Sequence, residues 1–85
     1  MNYELGLQRF KELLQKKEYT SEFGQRREMQ ALLAYEQRLL ELIYFKNLYG
    51  VLKNDQEVEK TVIVSHLNDL ARNAGIGQSF NDLCE

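Results

Sequence analysis

No proline occurs anywhere in this 85-residue sequence. Proline removes a backbone donor and collides with the preceding helical turn, so its absence leaves long stretches free to stay helical. The β-branched residues that favour sheet gather only between Val58 and Val64. Apolar residues recur every three or four positions through most of the rest, which is the period of a helix with one buried face. The predicted class is all-α: a compact bundle of three to four helices with a long central one, filling residues 1–85 as a single domain.

The first helix is predicted from Asn2 to Lys17, with Tyr3, Leu7, Phe10, Leu13 and Leu14 as its core stripe. Lys16 and Lys17 place positive charge on its last turn, where the helix dipole favours it. Thr20 and Ser21 are both good caps for a second helix, which starts there or, delayed by Gly24, at Gln25. It ends at Tyr49, before Gly50 in the C′ position, in a Schellman ending with Val51 folded back on Phe45. A third helix opens at Asn54 or Asp55, with Asn54 and Glu57 as a capping-box variant, and closes in the same manner at Gly75 with Ile76 folding back. Its seam is Ile63, Leu67, Leu70 and Ala74. Val62-Ile63-Val64 as a strand is the alternative, but it would have no β-rich partner to pair with. Ser79 and Asp82 cap a short fourth helix, Phe80 to Cys84.

Eleven basic and thirteen acidic residues leave a formal net charge of -2, which supplies no broad attraction to nucleic acid or anionic membrane. No basic segment leads into an apolar one at Met1, and apolar runs are far shorter than a membrane span, so a cytosolic protein with Cys84 reduced is expected. A chain this short buries only about 60% of the surface its unfolded form exposes. With one cysteine and one histidine it has neither disulfide nor structural zinc to compensate, leaving self-association as the supplement.

Residue by residue, no chemistry is expected. Carboxylates are scattered along helix surfaces, whereas acid/base work needs two held across a pocket. Glu36 and Asn47 fall inside the apolar stripe of the second helix and read as polar residues that set the register of a helix seam. His66 borders the third helix's apolar face and Cys84 behaves as a small hydrophobe beside Leu83. No catalytic, cofactor or metal site is expected. Lys16, Lys17, Arg26 and Arg27 are interleaved with Glu18, Glu22 and Glu28, as in a salt-bridged surface. That basic cluster is also the basis of a rival reading as a nucleic-acid-associated regulator.

The segment from Leu39 to Leu52 demands more than one core can supply. Ten of its fourteen residues are apolar or aromatic. Leu40, Ile43 and Tyr44 point one way, while Leu42, Phe45 and Tyr49 point nearly opposite. Either this helix is sandwiched between its neighbours or one face is intermolecular. The partner-binding residues expected are therefore Tyr44, Phe45, Leu48 and Tyr49, rimmed by Arg26 and Arg27, with Phe45 and Tyr49 the exposed set.

The tail carries Leu67-Asn68-Asp69-Leu70-Ala71, a glycine-containing turn, then Ser79-Phe80-Asn81-Asp82-Leu83-Cys84. This pattern, about the last fifth of the chain, resembles the ending of small helical effector-associated domains in bacterial conflict and signalling proteins. The resemblance implies a death-fold-like adaptor that pairs with a like domain, on the same or another protein, and so couples an effector to its sensor. It also implies that the 85 residues are an N-terminal module of a larger protein. A plain helical oligomerisation module is the remaining alternative.

Overall fold

The computed structural model describes residues 1–19 and 21–85; Thr20, one of the two caps considered for the second helix, lies outside the described residues. Four helices follow in order among the described residues: α1 Tyr3–Lys16, α2 Glu22–Tyr49, α3 Asn54–Ala74 and α4 Phe80–Leu83. Among the described residues there is no strand, and Val58 to Val64 is helical. No helix among the described residues is long and apolar enough to cross a membrane.

Local chemistry accounts for the boundaries. Asn2 Oδ1 accepts from the Leu5 amide at 3.0 Å, Ser21 Oγ from Gly24 at 3.2 Å and Ser79 Oγ from Asp82 at 3.1 Å, each satisfying an amide that the helix start leaves open. α3 departs from expectation: its cap is Lys53, whose side chain has no acceptor, and Gln56 Oε1 accepts the Lys53 amide at 2.9 Å instead. The two glycine stops also differ from each other. Gly50 (φ 84°) donates to Lys46 C=O at 2.7 Å, a single bond to the carbonyl four residues back. That is the simpler left-handed ending, and Val51 stays exposed instead of folding back. Gly75 (φ 69°) donates to Arg72 C=O at 3.1 Å, with Ile76 packed against the core.

α2, at 28 residues, spans the 44 Å length of the molecule nearly alone. α1 runs antiparallel to it, tied by Lys11 to Glu36 (2.6 Å) and Lys17 to Glu28 (3.3 Å). α3 runs antiparallel along its other flank, where Tyr35 stacks on His66 (centroids 5.5 Å apart) and Arg38 meets Glu59. α4 closes the bundle against α1 and α3. The core joins Leu7, Phe10 and Leu14 of α1, Leu32, Leu39 and Leu42 of α2, Ile63, Leu67, Ala71 and Ala74 of α3, and Phe80, Leu83 and Cys84 at the end.

α2 is therefore the central helix; Leu42 fills the core, and Leu40, beside α1, and Ile43 pack half-buried against it. Glu36 sits half-buried in the α1 seam with Lys11, but Asn47 is exposed on the last turn of α2, which overhangs all of α1 but its start at Met1 and Tyr3. The overhang is geometric. α1 has 14 residues against 28, so both ends of α2 project past it.

Candidate interaction surface

The projecting C-terminal end of α2 carries apolar side chains without cover. Leu48 is 74% exposed and Tyr49 64%, with Tyr44 also exposed; just beyond, Val51 is 70% exposed and Val58, on the first turns of α3, 64%. Phe45 is half-buried, its ring 4.5 Å from that of Tyr49, so the two form one aromatic unit in which Tyr49 is the outer member. Burying such residues in water-excluding contact is favourable at about 25 cal/mol per Å², and tyrosine and phenylalanine bring large area with few rotatable bonds.

Arg26 and Arg27 are exposed as expected, but on the other end of the same helix. Twenty-odd residues at 1.5 Å rise separate them from the Leu48 and Tyr49 turn, roughly 33 Å. Within one molecule they do not rim the aromatic surface. Nor do the four basic residues act as one patch. Lys17 is committed to Glu28, which also accepts from the Tyr19 hydroxyl at 2.5 Å, and Lys17 Nζ lies 4.6 Å over the Tyr19 ring. Burial, and then the hydrogen bond to Glu28, push the Tyr19 hydroxyl well above its ordinary range, holding it protonated as the donor. Arg26 stands 4.0 Å from Glu22, while Lys16 and Arg27 extend into solvent.

Two features of the surface escaped the sequence reading. Phe23, in the first turn of α2, is 73% exposed. Val58 and Val62 of α3 are exposed as well, apolar side chains outside the predicted seam of Ile63 and Leu67. Position relative to α1 decides the first case and position relative to α2 the second.

His66 and Cys84 occupy structural settings. His66 is exposed and stacks on Tyr35. Cys84 is buried against Gly6, and burial raises its thiol above the usual range, which keeps it protonated. The tail motif is internally bonded: Asn68 Oδ1 accepts the Asn81 amide at 3.1 Å, and Asn68 Nδ2 donates to Asn81 Oδ1 at 3.3 Å. The two asparagines of the pattern thus hold α4 on α3. Arg9 adds bonds to the carbonyls of Leu83 (3.1 Å) and Glu85 (2.6 Å), and the Asn2 amide donates to Cys84 C=O at 2.9 Å.

Two open grooves lie beside these features. One, of about 450 Å³, runs between α1 and α2 past Gln8, Lys11, Glu36 and Tyr44. The other, of about 600 Å³, lies between α3 and α4, lined by Asn68, Arg72, Gln78 and Ser79. The chain matches no protein-family model, no curated protein and no solved structure.

Proposed function

We propose that this domain is a non-catalytic protein-protein interaction module that pairs with a like domain, on its own chain's copies or on another protein, and acts as an adaptor. The observation that carries the reading is the uncovered apolar end of α2, where Tyr44, Leu48 and Tyr49 stand together in solvent. Exposed aromatic residues clustered in this way are the usual anchors of protein interfaces. The tail's resemblance to effector-associated domains supports the homotypic form of the reading. On that resemblance, the pairing couples an effector in a bacterial conflict or signalling system.

Leu48 and Tyr49 test it better than Phe45 and Tyr49, because Phe45 is half-buried and its loss would disturb the fold. The double variant Leu48→Ser, Tyr49→Ser is expected to keep wild-type helix content and melting while losing association in sedimentation velocity. Undiminished association in the folded variant would reject this surface.

A further inference from the structure

The solvent face of α2 has a period of its own. Positions 23, 27, 30, 34, 37, 41, 44 and 48 alternate spacings of four and three, and every one of them is exposed. This is the heptad spacing of a helix seam, and it lies opposite the core residues Leu32 and Leu39. α1 and α3 flank the other side of the helix, so the stripe is clear from end to end. Its large apolar residues sit at the two extremes, Phe23 at the start, Tyr44 and Leu48 at the finish, with only the small Ala34 between them. Its charges are of opposite sign in the two halves, Arg27 in the first and Glu41 in the second.

We propose that a second copy of this chain packs on this stripe antiparallel, about a two-fold axis between Tyr35 and Glu36, so that Phe23 of each copy meets Leu48 of the other and Arg27 meets Tyr44. The proposal rests on the reading that the chain pairs with its like, and specifies how. A two-fold axis makes one patch face itself, so a self-complementary patch needs its unlike ends brought together. The antiparallel register does this twice. It covers both exposed apolar ends at once, sets the Arg27 guanidinium on the Tyr44 ring as a cation-π contact, and puts Arg27 within a turn of Glu41 of the second copy. The parallel arrangement fails on the same residues, since it would stack Arg27 on Arg27 and Glu41 on Glu41 and leave Phe23 against its own twin. It would also align the two helix dipoles, which the antiparallel pair opposes. The distance between the basic and aromatic ends of one molecule thereby vanishes between two.

The strip is about 42 Å long and 10–12 Å wide, from 28 residues at 1.5 Å rise. Pairing then buries roughly 800–1,000 Å² in total, below the ~1,200 Å² of a stable specific interface and in the range of weak, reversible association.

Disulfide trapping on the full 85-residue chain tests it, with single variants Phe23→Cys and Leu48→Cys mixed under mild oxidation and the crosslinks identified by mass. Both sites are exposed, so the variants fold, and Cys84 is buried and does not compete. Within one copy the two positions are roughly 38 Å apart, so no internal bridge forms. The expected product is the mixed 23-to-48 crosslink, with 48-to-48 scarce. A dominant 48-to-48 crosslink would overturn the antiparallel geometry while leaving self-pairing intact. A chain that stays monomeric in sedimentation equilibrium to millimolar concentration would overturn self-pairing and this geometry together.

Discussion

Arg38 of α2 and Glu59 of α3 join their helices through two parallel hydrogen bonds of 2.7 Å, from Nε to Oε2 and from the terminal Nη2 to Oε1. Such a two-pronged contact fixes the rotation of one helix against the other as well as drawing them together. Arg38 also donates to Glu41 at 2.8 Å along its own helix. Hydrogen bonding to Arg38 holds the Glu59 carboxyl below the usual carboxylate range, and Glu59 in turn holds the guanidinium protonated. A depressed folded-state value means that the contribution is present above the unfolded value and is lost as pH falls through the folded one. Wild type is therefore expected to be the more stable at pH 7, with the gap to Glu59→Gln closing as pH drops below about 4.5, the unfolded value. Urea melts of both proteins between pH 7 and pH 2.5 check this, and a gap that persists at the acid end would show that the contact acts by shape and not charge.

Adjacent leucines on α2 differ sharply in what they hold up. Leu39 is fully buried between α1 and α3, whereas Leu40 leans half-buried on α1 at the edge of an open groove. Leu39→Ala and Leu67→Ala should each cost about 2–5 kcal/mol, by lost transfer energy and residual cavity. Leu40→Ala should cost clearly less, because water can fill the groove it vacates. Denaturant midpoints for the three variants decide the order, and an equal loss for Leu39 and Leu40 would mean that the groove closes in solution.

Period and caps made the helices legible in the sequence. Asn2, Ser21 and Ser79 act as caps, and Gly50 and Gly75 take the left-handed conformation where the apolar period ends. What could not be read was how far each helix extends past its neighbours. A helical wheel places Asn47 in the same stripe as Glu36, but Glu36 lies alongside the middle of α1 and Asn47 only at its very start, so one is seam and the other solvent. The same relation exposes Phe23, which no local pattern encodes; the distance from Arg27 to Tyr49 was legible, because both lie on one predicted helix that rises about 1.5 Å per residue. The Asn68 to Asn81 pairing was present in the tail motif as two asparagines thirteen residues apart, and only the Gly75 to Gly77 turn brings them to 3.1–3.3 Å.

Gly6 is required by what lies across from it. A methyl group at Gly6 would overlap Cys84 Sγ and press on Phe80 Cε1 at 3.2 Å and on the Cys84 backbone at 3.3 Å. Neither neighbour has room to yield. Cys84 and Phe80 are buried, Cys84 is a short side chain, and its carbonyl is held by the Asn2 amide while its own amide is bonded back to Phe80 and Asn81. In a free helix, Gly→Ala would gain about 1 kcal/mol of propensity. Here the overpacking, typically about 1–3 kcal/mol, should exceed that gain and lift α4 off α1. Gly6→Ala is thus expected to lower the melting temperature and to speed amide exchange at Phe80 to Cys84 more than in α2. Because Sγ is the nearest obstacle, Cys84→Ala in the same chain should recover part of the loss, though Cys84→Ala alone removes a buried sulfur and is itself mildly destabilising. Recovery in the double variant, measured as a coupling between the two changes in a double-mutant cycle, is the decisive quantity. Strict additivity would show that the glycine serves the backbone of α1 and not the seat of Cys84.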